Sequence, residues 1–417
     1  MIAIHTLPSG LRIVLETLPH VRSISFGIWV KIGSRYETAE LNGISHFIEH
    51  MIFKGTKNRT AKQIADETDA TGGEFNAFTS KEYTVFYSHT LDTHFDTALD
   101  CWQDMFINSN FDEAEIEKER GVILEEISMR EDDPASLVSE LLYGHAYPDH
   151  ALGLPTIGSE KTISGLKRGC FMDFIKRNYT ADNIVISVAG NFDEVSVLEK
   201  ITAVFSDILT SKPLLVSRPP SYKSCFVTKE KDIEQVHLCL GLPGFPIFAK
   251  EAYTIACLST VLGGGMSSRL FQKIREERGL VYNISAYHQG YVETGLFIVY
   301  AAFSPENLHE VCCLIISEMK GMLMDKINEK ALNTTKERLK SGIVLGYENS
   351  YSRMSANGYH LLMRDKTLTL DEIISKIDGV NIDKFFEVCE KIFRLDDLSI
   401  SLVGKKVGEM KLEQVLN

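Results

Sequence analysis

The stretch NGISHFIEHMIFKG, residues 42–55, carries the pattern on which the interpretation of this sequence rests. If residues 43–53 form a helix, a rotation of about 100° per residue places His46, Glu49, His50 and Phe53 on one face. The opposite face is then formed by Ile44, Phe47, Ile48, Met51 and Ile52. Because histidines four residues apart project together and can bind one Zn²⁺, the stretch predicts a metal site on a helix anchored by its apolar side.

A third protein ligand is expected from a second helix, in FDEAEIEKERGVILEEISMREDDP, residues 111–134. Its buried stripe is predicted to consist of Ile116, Ile123 and Ile127. Glu119 and Glu126 lie seven residues apart at the edge of that stripe, whereas Glu125 points away from it. A carboxylate beside a core is costly unless it is paired or binds a metal. We therefore predict Glu126 as a metal ligand and Glu119 as its auxiliary partner.

Two histidines, one carboxylate and an open position for water are typical of catalytic zinc sites. Such a zinc polarises a scissile carbonyl and lowers the pKa of its water, whose proton Glu49 can accept. A structural zinc site is the weaker alternative, because structural sites favour cysteine ligands and would leave Glu49 without a purpose. The pattern thus predicts a zinc endopeptidase with one zinc per chain.

The sequence also contains an internal duplication. The strand-like runs SISFGIWVKIG, TVFYSHT and IVISVAG return as QVHLCLGLPG, LFIVYAAF and LSISLVG, at offsets of 211, 213 and 214 residues. Three matches in the same order predict two homologous halves. A proline-containing stretch at residues 211–224 suits a linker, so we expect a metal-bearing half at 1–210 and a second half at 225–417. The motif-equivalent positions of the second half are Cys257, Thr260 and Val261. The second half therefore lacks a metal site of its own.

Composition and local patterns restrict the class of protein. Strand-like runs alternate with helical patterns in both halves, which predicts an α+β fold with sheets covered by helices. The net charge of −13 argues against nucleic acid, because phosphate binding needs a basic surface. No apolar run approaches the roughly 18 residues that cross a bilayer, and no targeting segment is evident. The eight cysteines form no CxxC pair, which indicates reduced thiols. We expect a bacterial cytoplasmic protein that makes no membrane contact.

The metal pattern resembles that of a known family. HFIEH, followed 76 residues after His50 by Glu126, is similar to the inverted zincins, which include pitrilysin, insulin-degrading enzyme and mitochondrial processing peptidase. The resemblance covers essentially the whole chain, and the single pair of halves is similar to the bacterial processing-peptidase branch and to the β subunit of the mitochondrial enzyme. It implies His46, His50 and Glu126 as zinc ligands, Glu49 as general base and Glu119 as auxiliary acid.

The resemblance also implies a substrate-binding strand. GGEFNAFTSKEYTVFY, residues 72–87, is similar to the edge strand along which the family binds peptides. There Asn76 and Ala77, followed by Phe78, contact the peptide backbone by β-augmentation, which recognises shape more than side chains. The alternative is that Asn76 only caps a turn.

Two residues of the second half match an Arg–Tyr pair of active family members. These are Arg275 and Tyr282 in IREERGLVY, and the resemblance implies that the tyrosine stabilises the tetrahedral oxyanion at the metal site. A helix-surface arginine and a core tyrosine form the alternative. The glycine-rich loop that handles presequences in the mitochondrial α subunit is long, whereas this chain has only LGGGMSSRLF, residues 262–271. Recognition of true presequences therefore stays open.

The expected function is hydrolysis of short or unfolded peptides, including basic presequence-like ones, within a chamber on which the two halves close. The expected partners are an extended peptide substrate and either a second copy or an inactive paralogue. A non-catalytic scaffold or partner subunit of the same fold is the main alternative, but such proteins usually lose the motif that this chain retains.

Overall fold

A computed structural model of the chain describes residues 2–206, 208, 219–325 and 327–407. Most of the predicted linker, residues 211–218, lies outside the described residues. The chain divides into two compact units. Unit 1 comprises Met1–Ile127, Leu154–Ser217 and Val344–Leu368, and unit 2 comprises Ser128–Gly153, Arg218–Ile343 and Thr369–Asn417.

The secondary structure alternates strands with helices, as expected for an α+β fold. The strands are β1 (Ile2–Thr6), β2 (Arg12–Thr17), β3 (Ser23–Val30), β4 (Glu74–Thr79), β5 (Thr84–Leu91), β6 (Ile184–Gly190), β7 (Phe226–Glu230), β8 (Val236–Gly244), β9 (Val281–Gly290), β10 (Gly295–Phe303) and β11 (Ser399–Gly404). The helices are α1 (Ile44–Met51), α2 (Ala61–Ala70), α3 (Phe95–Asn108), α4 (Glu113–Asp132), α5 (Pro134–Ala146), α6 (Glu160–Gly165), α7 (Arg168–Asn178), α8 (Glu194–Phe205), α9 (Ala252–Gly263), α10 (Leu308–Met324), α11 (Glu329–Gly346), α12 (Ser350–Arg364), α13 (Leu370–Asp378) and α14 (Ile382–Ile392).

Unit 1 contains a mixed sheet with the strand order β1-β2-β6-β3-β5-β4. β2 and β6 run parallel, and the other neighbours are antiparallel. Side chains of the central strand β3 alternate between the two faces of the sheet. Phe26 and Ile28 belong to the hydrophobic core that also contains the apolar side of α1 and the buried face of α3. This core holds the metal-bearing helix against the sheet.

The other face of the unit 1 sheet is covered by α12, although this helix comes from the second half of the sequence. Ser187 on β6 donates a hydrogen bond to the carbonyl oxygen of Met354 at 2.7 Å. Arg353 and Asn357 hydrogen-bond the buried carboxylate of Glu16 on β2, at 2.8 and 2.7 Å. The burial of Glu16 is thus compensated by two partners from one helix.

Unit 2 repeats this arrangement. Its sheet has the strand order β7-β11-β8-β10-β9, with β7 and β11 parallel. One face packs on a core that includes residues of α9, α10 and α14, and the other face packs on α5. Ser401 on β11 donates a hydrogen bond to the carbonyl oxygen of Val138 on α5 at 2.7 Å. This contact is equivalent to the contact of Ser187 with Met354 in unit 1.

The two sheets therefore share the order of five strands, and the strands β3, β5 and β6 correspond to β8, β10 and β11, as the duplicated runs predict. Each compact unit also includes one helix from the other half of the sequence, α12 in unit 1 and α5 in unit 2. The predicted boundaries at residues 210 and 225 divide the sequence according to its duplication. The compact units are each assembled from non-contiguous segments, so they do not test these boundaries, which stay a prediction.

Two chemical features complete the description. All eight cysteines are present as free thiols. Among the described residues, no helix combines the length and the apolar character that crossing a bilayer requires.

Candidate metal centre

The metal-bearing helix α1 depends on its surroundings, because an isolated helix of 8 residues is too short to be stable. Ile44, Phe47, Ile48 and Met51 are buried, as predicted from the period of the sequence. Each such side chain contributes about 1.5–3 kcal/mol when it is fully buried. The apolar face thus fixes the helix and leaves its polar face free for chemistry.

The start of α1 is fixed by a carboxylate that the sequence pattern did not identify. Gly43 precedes the helix with a φ of 94°, and a Cβ there would meet the carbonyl oxygen of Ile157 at 2.7 Å. No side chain at Gly43 can cap the helix, and Glu37 takes this role by accepting hydrogen bonds from the backbone N–H groups of Gly43 and Ser45, at 2.7 and 2.9 Å. Burial raises the pKa of Glu37 despite these hydrogen bonds.

His46, His50 and Glu126 converge as predicted. The imidazole rings of the two histidines lie 4.6 Å apart between centroids. The Oε2 atom of Glu126 on α4 lies 3.8 Å from Nε2 of His46 and 3.6 Å from Nε2 of His50. One ligand atom from each residue lies within 4.8 Å of the others, and this is the single such group in the described part of the chain.

These distances fit one zinc ion. Two ligand atoms at about 2.1 Å from a tetrahedral metal are about 3.4 Å apart, so small side-chain rotations would complete the coordination. Two imidazoles and a carboxylate form a set that zinc prefers, and they leave a position for water. The side chain of Glu126 is 38% exposed, so the group is open to solvent on one side.

The register of α4 agrees with the prediction from its apolar stripe. Ile116 and Ile123 are buried, Glu119 is buried beside them, and Glu125 is exposed. Ile127, the third predicted member of the stripe, is only partly buried against the same core. Glu119 accepts a hydrogen bond from Nδ1 of His50 at 2.8 Å through Oε1. Its other oxygen lies 2.6 Å from Nζ of Lys54. The predicted auxiliary acid therefore contacts a metal ligand directly.

Glu49 lies on the same helix face as the histidines and is held by an adjacent strand. Thr79, the last residue of β4, donates a hydrogen bond from Oγ1 to Oε2 of Glu49 at 2.6 Å. Burial raises the pKa of Glu49, and the charge of Glu126 acts in the same direction, while the Thr79 hydrogen bond opposes it. A carboxylate with a raised pKa is a stronger base, which suits proton transfer.

The site has an excess of negative charge that favours a cation. Burial lowers the pKa of His50, but the hydrogen bond to Glu119 and the charges of the three nearby carboxylates outweigh it and raise the pKa. Burial likewise opposes the charged form of Glu119, whose pKa is nevertheless lowered by His50 and Lys54. The same negative surroundings that stabilise a protonated histidine stabilise a divalent metal ion.

The predicted substrate strand is the edge strand β4 of the unit 1 sheet. Its residues alternate, so that Asn76 and Phe78 are exposed while Ala77 is partly buried. The side chain of Asn76 accepts a hydrogen bond from the backbone N–H of Ala77 at 2.8 Å. The N–H of Ala77 therefore points away from β5, toward the free edge. Asn76 lies within a strand, which contradicts the alternative that it only caps a turn.

Arg275 and Tyr282 are adjacent within unit 2. The guanidinium carbon of Arg275 lies 5.9 Å from the ring centroid of Tyr282 and 4.7 Å from that of Phe271. Arg275 lies in a π-helical turn, and Tyr282 lies on the edge strand β9 with 74% of its surface exposed. This exposure contradicts the alternative of a core tyrosine. Arg275 is also exposed, which agrees with the helix-surface arginine of the alternative, so only the tyrosine part of that alternative is contradicted.

Three residues that contact α1 or the side chains of the site were not found from the sequence: Glu37, Lys54 and Thr79. Lys54 follows His50 by four residues, so its helical spacing was a usable signal. Thr79 lies on the same face of β4 as Phe75 and Ala77. The alternation of side chains along the strand could have predicted the direction in which the Thr79 side chain points. Glu37 gave no signal, because it lies outside any periodic element.

The fold and the site together define a metallopeptidase with an inverted HxxEH motif. A family model described as insulinase, peptidase family M16, matches residues 12–160, and one described as the peptidase M16 inactive domain matches residues 166–339. A Bacillus subtilis protein called uncharacterized zinc protease YmxG is 40% identical, with 97% of this chain and 98% of that protein covered. The chain belongs to peptidase family M16.

Two solved structures share the fold. A protease from Helicobacter pylori superposes with a TM-score of 0.90 at 21% identity, covering 97% of this chain and 99% of that chain. A chain of Complex III2 from Candida albicans superposes with a TM-score of 0.86 at 20% identity, covering 100% of this chain and 99% of that chain. The predictions of family, of a zinc-dependent protease and of zinc as its metal are confirmed.

Proposed function

We propose that this protein is an endopeptidase that hydrolyses short or unfolded peptides at the zinc site of unit 1. The observation that carries the proposal is the convergence of His46, His50 and Glu126 within 4.8 Å, with Glu49 on the same helix face. A scaffold protein needs none of these groups, and all of them are present here together with Glu119.

Glu49 is the general base and acid of the proposed reaction. A bound zinc would polarise the scissile carbonyl and make the attacking water more acidic. Glu49 accepts the proton of that water and returns it to the leaving amine, as its raised pKa permits. Thr79 holds one carboxylate oxygen of Glu49, so that the other oxygen is available to the water.

The substrate is proposed to bind as an additional strand along β4. In an antiparallel ladder, alternate residues direct both backbone polar groups to the same side. Since the N–H of Ala77 points to the free edge, Phe75 and Thr79 present their backbone groups to that edge as well. A peptide carbonyl would replace the Asn76 side chain on the N–H of Ala77, and Phe78 would flank the bound strand. This mode selects an extended conformation more than a sequence.

The substrate class is proposed to include basic peptides. The net charge of −13 attracts cationic chains at long range, and this attraction weakens as salt is added. Cleavage of a lysine-rich and a glutamate-rich version of one unstructured peptide, compared at low and high salt, measures the preference. Equal rates for both versions at low salt would contradict it.

The second half is proposed to complete the site. Arg275 and Tyr282 form an exposed pair in the second half, whose described residues contribute no ligand to a metal group, and the tyrosine hydroxyl is a suitable donor to an oxyanion. Tyr282→Phe removes that donor and should lower turnover about 10²–10³-fold with zinc content unchanged. Wild-type turnover in this variant would exclude the tyrosine from the reaction.

We further propose that the halves close on a chamber, within one chain or in a dimer with a second copy or an inactive paralogue. Such a chamber admits a flexible peptide and excludes a folded domain. The test compares one cleavage sequence in an unstructured peptide and in a stably folded domain, while light scattering gives the mass of the active assembly. Efficient cleavage of the folded substrate would contradict the chamber.

The variant Glu49→Gln tests the proposed reaction itself. It keeps both histidines and Glu126, so one zinc should remain bound while cleavage of an unstructured peptide falls about 10²–10⁴-fold. Glu125→Gln is the matched control, because it makes the same carboxylate-to-amide change at an exposed position. Near wild-type cleavage by Glu49→Gln, or an equal loss in the control, would overturn the assignment.

A further inference from the structure

A continuous line of polar contacts leads away from the metal group. The Nε2 atom of His50 faces Glu126 at 3.6 Å, and its Nδ1 atom lies 2.8 Å from Oε1 of Glu119. The second oxygen of Glu119 lies 2.6 Å from Nζ of Lys54. Lys54 is therefore linked to a predicted zinc ligand through one carboxylate that has a separate oxygen for each partner.

We propose that Lys54 is a positioning residue for the metal centre, which orients Glu119 so that this carboxylate fixes the ring of His50. The proposal rests on the zinc site proposed above. With Oε2 held by Lys54, Oε1 faces the His50 ring and accepts its Nδ1 hydrogen. The Nε2 lone pair of His50 then points to the metal position, because the hydrogen at one ring nitrogen determines which nitrogen can bind a metal.

The local backbone explains why Lys54 reaches this position. It lies four residues after His50, so the two side chains project from the same side of the helical turn. The turn continues past α1, since the N–H of Lys54 donates to the carbonyl oxygen of Met51 at 3.1 Å. Gly55 ends it with a φ of 110°, a conformation that a side chain would disfavour. Lys54 is thus the last residue of this helical turn whose side chain can project in the same direction as that of His50.

Burial distinguishes this contact from an ordinary surface ion pair. The side chain of Glu119 is only 6% exposed, whereas that of Lys54 is 32% exposed. A buried carboxylate needs compensation, and a histidine that binds a metal is neutral. Lys54 supplies a positive charge to Glu119 while 32% of its own side chain remains exposed. Its replacement is therefore expected to disturb the metal centre more than the fold.

The test uses the full-length protein. For each variant, zinc affinity is measured by chelator competition, and the melting temperature of the zinc-free form is measured separately. Lys54→Met should weaken zinc binding about tenfold, the lower end of the range for residues that orient a ligand. Lys54→Arg keeps the charge and should restore most of the affinity. Lys57→Met is the matched control, because it removes the same charge from an exposed position three residues away. The zinc-free melting temperatures of all variants should match that of the wild type.

Three results would overturn the proposal: zinc affinity of Lys54→Met within about twofold of wild type, an equal loss in Lys57→Met, or a loss that accompanies a lower melting temperature of the zinc-free protein. Wild-type protein and His50→Ala are measured in parallel. If the wild type binds zinc and His50→Ala does not, a wild-type zinc affinity of Lys54→Met refutes only the role of Lys54. If His50→Ala keeps its zinc, the proposed site itself fails.

Discussion

Glu125 and Glu126 are neighbours in sequence but occupy different surroundings on α4. Glu126 is partly buried beside His46 and His50, whereas Glu125 is exposed. The difference follows from the rotation of about 100° between consecutive helical residues. Their chemical identity makes them a matched pair for testing which carboxylate binds the metal.

Glu126→Gln should weaken zinc binding far more than Glu125→Gln. The first change removes a ligand, so its effect should exceed the roughly 10–100-fold that is typical of residues that only orient a ligand. The second change alters a solvated side chain. Zinc affinities from chelator competition give the comparison, and equal effects of the two substitutions would contradict the predicted register of α4.

At the residue scale, sequence analysis identified the groups that share a helix face, because a helical period fixes relative directions within one element. This placed His46, Glu49 and His50 together and separated Glu126 from its neighbour. It could not identify Thr79 or Glu37 as partners of this helix, because contacts between elements depend on tertiary packing. The period of one segment contains no information about which other segment it meets.

At the element scale, β4 combines two properties of a substrate-binding strand. It lies at the edge of the sheet, and the N–H of Ala77 points outward, where the side chain of Asn76 accepts its hydrogen bond. Proline is tolerated on edge strands where the N–H faces solvent. A proline at this position should therefore preserve the sheet while removing a hydrogen-bond donor for the peptide.

Ala77→Pro should raise KM for an unstructured peptide and leave zinc content unchanged. The matched variant Ala77→Ser keeps the backbone N–H and should retain a KM near that of the wild type. Steady-state kinetics on both proteins, with metal analysis, measure the difference. A wild-type KM in Ala77→Pro would show that substrate does not pair with this part of β4.

The packing of α12 gives a second prediction at the element scale. A Cβ at Gly358 would lie 2.3 Å from the indole of Trp29, which is buried under this helix, whereas a Cβ at the exposed Gly342 of α11 would meet no atom within 4 Å. Gly358→Ala should lower the melting temperature, since overpacking costs about 1–3 kcal/mol. Gly342→Ala should not lower the melting temperature, because alanine favours the helical conformation over glycine by up to about 1 kcal/mol. Thermal unfolding followed by tryptophan fluorescence tests both variants. A melting temperature of Gly358→Ala equal to that of the wild type would contradict the packing of α12.

For the whole molecule, the duplication could be predicted because strands with both faces buried leave recurring apolar runs at constant offsets. The exchange of α5 and α12 between the compact units could not, because an amphipathic pattern indicates that a helix covers a core but not which core. Unit 1 uses α12 to cover β3 and β6 and to compensate the buried Glu16. The metal-bearing half is thus incomplete without residues 344–368.

The central claim is that one His–His–Glu group in one of two homologous halves holds the zinc of this peptidase. Metal analysis of the purified full-length wild type and of His50→Ala measures this most directly. We predict about one zinc per wild-type chain and almost none in His50→Ala, with both proteins equally folded by circular dichroism. Two tightly bound zinc ions per wild-type chain, or undiminished zinc in His50→Ala, would contradict the claim.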